Sequence, residues 1–563
     1  VITPQIHDDH GSAAVDFLDG SAEADDALRR AAAAVVEAVL SSRPGPPFPA
    51  IAPEQLKAQI DAVDPLPDEG APLDEVLAQV TRDVLANDAK PAQPWCAAHL
   101  HSPTLLTAAA TELAIGVTNQ SMDSFDQAPA ATYAEDRLVR SLAGLLGLPD
   151  GEEPEIGGPG STGGGVLTSG GTSSNLLGLL LARDRAAVRS GRSEGSAGTG
   201  RTEGSGGSGL PADAASWRVL ASDAAHVSIR QACAVLGLGR DAVVPVTTDD
   251  AGRMRADALD QTLDEVERTG GRVIAIVGTA GTTDSGSVDP LDVLADRAAR
   301  CGAWLHVDAA VGAGLALSER LRPMLDGIQH ADSITADLHK LWWQPIGASA
   351  LLVRDIGTLH GFREPAAYLN RQEDTGVLNL VDRSLDTSRR FDALKVLVSL
   401  RATGRRRLSR YVEHIVGLAA DAARYIASHP DLQLVADPQT VTVLFRCRPA
   451  RTGSAGHHLT GLDRLNTDVQ RTLLARGQAV VGRTRWRGQV VLKLTLVNPL
   501  TGIDDVTGLL DLIAATARSM AGEHTARAHT VHELAAGEDG PVEHADSGMS
   551  TRAGSATRVI GGH

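Results

Sequence analysis

The chain is 563 residues long, 43% hydrophobic, and carries a formal net charge of −18. That length allows two or three domains with a sizeable core, and that charge argues against nucleic acid or an anionic membrane as a partner. No stretch reaches the roughly 18 consecutive apolar residues of a spanning helix, and the N-terminus lacks a basic region followed by an apolar run. Cys96, Cys233, Cys301 and Cys447 are scattered without metal-ligand spacing, which predicts reduced thiols and a cytoplasmic protein.

Residues 1–20 are polar and mixed and are expected to be loosely ordered. Apolar positions over 22–40 fit a helix ended by Arg43-Pro44-Gly45-Pro46-Pro47. A second helical pattern covers 73–85, so residues 1–94 read as an N-terminal helical arm. The character changes at Trp95: His99-Leu100-His101-Ser102-Pro103 leads into a helix over 105–117. The polar turn 119–127 and a helix over 132–146 follow, and the Gly-rich 157–165 stretch reads as a loop.

Next comes Ser169-Gly170-Gly171-Thr172-Ser173-Ser174-Asn175, ahead of a strongly helical run. Small residues at a helix start leave backbone N–H groups open to an anion, although an ordinary N-cap has the same signature. The Gly/Ser-rich segment 189–211 is expected to be a disordered surface insertion. After it, strand-like runs at 217–222, 242–246, 273–278 and 304–307 alternate with helical runs at 256–267 and 290–300. That alternation predicts a mostly parallel sheet covered by helices, with ligands gathering at the carboxyl ends of the strands. Those ends carry His226, Gly281-Thr282-Thr283 and Asp308. A large domain is expected over 95–395 and a smaller C-terminal α/β domain over 396–520, with strand-like runs at 441–445 and 490–496. The aperiodic 521–563 reads as a disordered tail.

Lys340 stands out within Ala331-Asp332-Ser333-Ile334-Thr335-Ala336-Asp337-Leu338-His339-Lys340. It is one of five lysines, with Lys57, Lys90, Lys395 and Lys493, in a chain that otherwise uses Arg for positive charge. Arginine cannot deprotonate and so cannot form an imine, which makes a rare lysine a candidate for amine chemistry. An enzyme built on pyridoxal 5′-phosphate needs such a lysine, a carboxylate for the pyridine nitrogen, a flat group over the ring and an N–H cradle for the phosphate. Lys340, Asp308, His226 and the 170–175 loop supply these four. Each alone also fits a duller role as a surface lysine, a strand-end cap, a structural histidine or a helix cap.

Taken together, the Ser-Gly-Gly-Thr-Ser-Ser-Asn loop, Ala225-His226, Gly281-Thr282-Thr283, His306-Val307-Asp308-Ala309-Ala310 and His339-Lys340 resemble the pyridoxal-phosphate-dependent group II amino-acid decarboxylases over roughly 95–505. The segments 119–127, 337–345, 379–382, 389–395, 482–485 and 496–501 are most similar to the L-2,4-diaminobutyrate and siderophore-pathway lysine decarboxylases within that group. The resemblance implies fold type I, an aspartate-aminotransferase-like α/β fold, and a homodimer with active sites shared between subunits. It implies that Lys340 forms the imine with the cofactor, Asp308 pairs with the pyridinium nitrogen, and His226 stacks on the ring near the departing carboxylate. Ala310 would pack on the opposite face and Thr282 would line the cofactor. Gly171, Thr172 and Ser173 would hold the phosphate, with His339 close to the phosphate or the imine.

Four positions depart from the group. The loop tyrosine proposed in many relatives to reprotonate Cα falls near Leu380 here, and Tyr368 cannot be aligned to that role, which leaves His226 as a candidate donor. Val311 stands where relatives usually have Tyr, and Phe125 where many have Trp. Asp337 replaces an Asn found in several relatives; a carboxylate facing a phosphate is repulsive, so it is expected to turn away. The substrate implied is a diamino acid such as 2,4-diaminobutyrate. Lysine, ornithine or an aliphatic amino acid such as valine or leucine remain open, and aminotransfer or another lyase reaction lacks an identifiable Arg clamp for a retained carboxylate.

Overall fold

The computed structural model describes residues 16–151, 162–192, 209–363, 377–449 and 459–536. Three N-terminal helices come first, α1 (Ala22–Ser42), α2 (Pro53–Asp61) and α3 (Leu73–Asp83). Ser21 caps α1 by accepting from the Ala24 N–H, and Glu23 and Asp25 complement its positive end. Helices α4 (Leu106–Thr118) and α5 (Pro129–Leu145) lead to β1 (Gly164–Thr168) and the 22-residue α6 (Gly171–Arg192).

The chain then runs through β2 (Trp217–Ser222), α7 (Ser228–Val235), β3 (Val243–Val246), α8 (Ala256–Arg268), β4 (Arg272–Thr279), α9 (Leu291–Cys301), β5 (Trp304–Asp308), β6 (Ser333–Asp337) and β7 (Ser349–Val353). These strands form one seven-stranded sheet in the order β1-β7-β6-β5-β4-β2-β3. Strands β2 to β6 pair in parallel, and β7 runs antiparallel to both β6 and β1. Every residue of β1, β5, β6 and β7 is buried, as expected of strands covered on both faces. One face packs on residues such as Leu138, Leu294, Leu315 and Leu341. The other packs on Leu180 and Leu181 of α6 and Ile229 of α7. Helix α6 comes close enough to the sheet for a Cβ at Gly178 to lie 2.6 Å from the His306 ring, so only glycine fits there.

Helices α10 (Ala393–Thr403) and α11 (Arg405–Ser428), joined through Gly404 at φ +77°, carry the chain to a second sheet. That sheet contains β8 (Leu432–Ala436), β9 (Thr442–Cys447), β10 (Gly482–Trp486) and β11 (Gln489–Thr495), all antiparallel, in the order β10-β11-β9-β8. Between its strands the chain forms α12 (Leu459–Ala475), and after them α13 (Ile503–Ala536). Phe445, Leu494, Val469 and Ile513 share its core.

Three expectations change. Helix α2 went unforeseen, and the segment from 189 begins as the last turn of α6. Helix α13 continues past 521 to Ala536; alanine-rich sequence favours helix by propensity without an apolar period to announce it. Residues 1–15, 152–161 with the first half of the expected Gly-rich loop, 193–208, 364–376 with Tyr368, 450–458 and 537–563 lie outside the described residues. Among those described, no helix is long and apolar enough to cross a membrane.

Candidate active site

The carboxyl ends of β4, β5 and β6 and the first turn of α6 enclose a cavity of about 360 Å³. Lys340, Asp308, His226, Gly171, Thr172, Ser173, Ala310 and His339 all line it. The lysine is held from behind. Leu341, Trp342 and Trp343 are buried, the Trp343 indole donates to the Val497 carbonyl at 3.0 Å, and the Gln344 amide donates to Ser399 Oγ at 2.8 Å. These anchors fix the turn after β6, so Lys340 projects into the cavity with its side chain 18% exposed.

A buried hydrogen-bond network sets the two rings and the carboxylate. Asn175, in the first turn of α6, donates from Nδ2 to Asp308 Oδ2 and to Ser228 Oγ, both at 2.9 Å. Its Oδ1 accepts from Thr335 Oγ1 at 2.7 Å and from His306 Nε2 at 3.0 Å. Asp308 Oδ1 accepts from the Ala310 N–H at 3.1 Å. With its oxygen receiving the Asn175 proton, Ser228 gives its own to His226 Nδ1 at 2.8 Å, which leaves the His226 proton on Nε2. On the far side, the Trp304 indole donates to Ser333 Oγ at 2.7 Å and Ser333 donates to His306 Nδ1 at 2.8 Å. His306 is thus a neutral Nε2–H imidazole, and burial pushes it down to about 4 against the raising effect of Asp308. His306 and Asp308 lie two apart on one strand and share a face.

Asp337 does not turn away. Its Oδ2 lies 2.9 Å from Lys340 Nζ and 3.6 Å from His339 Nε2, while its Oδ1 is buried without a hydrogen-bond partner. The ammonium beside it supplies the attraction that the expected repulsion left out of account. Thr282 also departs from expectation: it is absent from the cavity lining, and its hydroxyl bonds Ser285 Oγ at 2.7 Å and accepts from the Ser287 N–H. Gly281, at φ +91° with Val311 where a Cβ would go, lines the cavity together with Thr283. Thr279, at the end of β4, lines it too, with a buried hydroxyl that has no partner. His339 donates from Nδ1 to the Ala348 carbonyl at 2.9 Å. Val311 is a further lining residue, and Leu380 is buried in the core.

The residues fit a pyridoxal phosphate. The cavity pairs a lysine and a fixed carboxylate with an unpartnered threonine hydroxyl and a helix start that exposes N–H groups. Around it, burial and the neighbouring His99 and His339 push the His101 imidazole down, and burial pushes the Lys493 ammonium down. Ser228, Thr279, His306 and Thr335 were not foreseen as site residues, and Asn175 only as part of the 170–175 loop. Asn175 closes the small-residue loop and His306 opens the His-Val-Asp run, but their hydrogen bonds cross between strands and a helix.

The chain matches the family model described as the pyridoxal-dependent decarboxylase conserved domain over residues 53–448. It is 37% identical over 452 residues to the L-2,4-diaminobutyrate decarboxylase of Acinetobacter baumannii, covering 80% of this chain and 85% of that protein. It is 38% identical over 471 residues to the enzyme of the same name from Rhizobium meliloti (strain 1021), covering 83% and 87%. Among solved structures, it is similar to the glutamate decarboxylase domain of diaminobutyrate-pyruvate transaminase and L-2,4-diaminobutyrate decarboxylase from Vibrio parahaemolyticus. The TM-score there is 0.74 at 33% identity, over 89% of this chain and 97% of that one. The Oryza sativa TDC with PLP and tryptamine gives a TM-score of 0.78 at 26% identity, over 90% and 99%.

Proposed function

We propose a substrate class and residue roles for this chain from a premise the comparisons supply: it belongs to the pyridoxal-dependent decarboxylase family. It is a fold type I carboxy-lyase that uses pyridoxal 5′-phosphate to decarboxylate an amino acid. Its substrate, in our reading, is a short L-diamino acid, with 2,4-diaminobutyrate first. The observation that carries the reading of the site is the convergence of Lys340, Asp308, His226 and the start of α6 on one cavity.

When bound, the cofactor supplies an electron-withdrawing ring that takes up the electron pair left by the departing carboxylate. Lys340 would hold the cofactor through its amine and release it to the substrate amine. Asp308, tied to Asn175 and the Ala310 N–H, would hold a proton on the ring nitrogen. Gly171, Thr172 and Ser173 bind the phosphate through the open end of α6, and Thr279 offers its unpartnered hydroxyl. His226 and Ala310 would hold the ring between them, the small Ala310 side chain leaving room for it. His226, whose Nδ1 is engaged by Ser228, would have its Nε2 free for the substrate and is the candidate to return a proton to Cα, which it could do from its protonated form. Orientation and pre-set charge are the protein's contributions.

The names of the relatives from Acinetobacter baumannii and Rhizobium meliloti favour the diamino acid, while Val311, which lines the cavity in place of an aromatic, is what keeps a longer or aliphatic substrate in the test. Carbon dioxide release across 2,4-diaminobutyrate, ornithine, lysine, valine and glutamate tests this. The highest kcat/KM is expected with 2,4-diaminobutyrate, and a preference for valine or glutamate would overturn the substrate class. We further propose a cytoplasmic homodimer with shared sites. Val35, Val36, Val39 and Leu40 of α1 form an exposed apolar row suited to a second copy, and four free thiols suit a reducing compartment. Sedimentation at a monomer mass would contradict the dimer.

A further inference from the structure

Asp337 presents a charge problem that its surroundings solve only in part. The residue ends β6 and is 3% exposed. Its Oδ2 has Lys340 Nζ at 2.9 Å, but its Oδ1 is buried with no donor. A Cβ on Gly171 would lie 2.9 Å from Oδ2 and 3.1 Å from Oδ1, so the carboxylate rests directly against the backbone where α6 begins. A side chain at Gly171 would push that carboxylate out of its place. The start of a 22-residue helix carries unpaired N–H groups and the positive end of the helix dipole. Asp337 therefore already occupies part of the place where an anionic ligand would be held.

The other charged or titratable groups around it are few. His339 and Lys340 come from its own segment, Asp308 from β5 and His226 from the stretch after β2. His101, ahead of α4, interacts with His339. The first turn of α6 has no charged side chain, and the register partner on β7 is Ser349. Once Lys340 is bonded to the cofactor, its ammonium no longer serves Asp337. A fully ionised phosphate beside Oδ1 would then meet an uncompensated carboxylate, whereas a phosphate that keeps one proton offers the O–H donor that Oδ1 lacks.

We propose that Asp337 makes this enzyme select the singly protonated phosphate of its cofactor, with one proton shared between Asp337 Oδ1 and a phosphate oxygen. The proposal rests on the reading of the start of α6 as the phosphate cradle. No bond other than the hydrogen bond forms, and the proton comes from solvent when the phosphate monoester enters. Because such monoesters lose their second proton near pH 6, the phosphate's contribution to binding weakens as pH rises.

Pyridoxal, which lacks the phosphate but bonds the same lysine, is the reference ligand. In the cofactor-stripped enzyme, the ratio of the pyridoxal Kd to the pyridoxal phosphate Kd is expected to fall about tenfold per pH unit above neutrality. In Asp337→Asn it is expected to be larger at neutral pH and flat. Phosphorus NMR of the wild-type holoenzyme needs no variant: it should report a monoanionic phosphate from about pH 6.5 to about pH 8.5. A dianionic signal over that range, or a ratio that does not change with pH in the wild type, overturns the proposal. Borohydride fixation of the cofactor on Lys340 in the same sample keeps the two levels apart. If fixation succeeds and the phosphate is dianionic, only the role of Asp337 falls; if the cofactor fixes elsewhere, the reading of the site falls with it.

Discussion

Asn175→Asp is the sharpest probe of the buried network because it changes charge while leaving shape alone. The substitution keeps the oxygen that accepts from Thr335 and His306, and turns the Nδ2 donor, 2.9 Å from Asp308 Oδ2, into a second carboxylate oxygen. Two full charges at that distance repel by about 6 kcal/mol at an effective dielectric of about 20. Rather than bear that, the pair takes up a proton, which caps the cost at the work of protonating a carboxyl with an unfolded value of about 3.9. The cap is about 4 kcal/mol at pH 7 and about 1.5 kcal/mol at pH 5, at roughly 1.4 kcal/mol per pH unit. The sign follows from a folded value raised above the unfolded one: the penalty is absent at low pH and grows as pH rises. Urea unfolding of the cofactor-stripped wild type and variant at several pH values reads the difference directly. A destabilisation that stays constant from pH 5 to pH 7 would refute the placement of Asn175 against Asp308.

Lys395, fully buried between Glu112 at 2.6 Å and Asp392 at 3.0 Å, is expected to be structural. Lys395→Ala should cost about 3–5 kcal/mol in urea unfolding while the cofactor still fixes to Lys340; loss of fixation at full stability would contradict this. His306, pushed down to about 4 from an ordinary 6.5, contributes stability that is complete above pH 6.5 and is lost as pH falls towards 4. Its share is about 3 kcal/mol. The wild type should therefore lose more stability than His306→Gln between those pH values, and parallel losses would count against a buried neutral imidazole.

Much of this site was legible in the sequence because its chemistry demands residue types that nothing else replaces. Lys340 stood out because the chain spends Arg wherever a plain cation suffices, and Asp308, His226 and Gly171 because strand ends and a helix start collect ligand-facing groups. Strands β2 to β5 were readable from their apolar runs, whereas β6 and β7, although fully buried, were not picked out. What could not be read depends on adjacency across elements. Asn175 meets His306 and Thr335 only because α6 lies against β5 and β6 with Gly178 at the crossing. Thr283 rather than Thr282 lines the cavity, because the Thr282 hydroxyl is engaged by Ser285 and the Ser287 N–H across the following turn. Asp337 was expected to avoid the site because a like charge was considered without the Lys340 ammonium 2.9 Å away.

The central claim is that Lys340 is the amine that bonds the cofactor. Borohydride reduction of the holoenzyme followed by peptide mass mapping tests it most directly. The cofactor's mass is expected on the peptide carrying Lys340, and Lys340→Ala should lose both the cofactor's visible absorbance and carbon dioxide release. Cofactor fixed on Lys395 or Lys493, or absorbance retained in Lys340→Ala, would contradict the account.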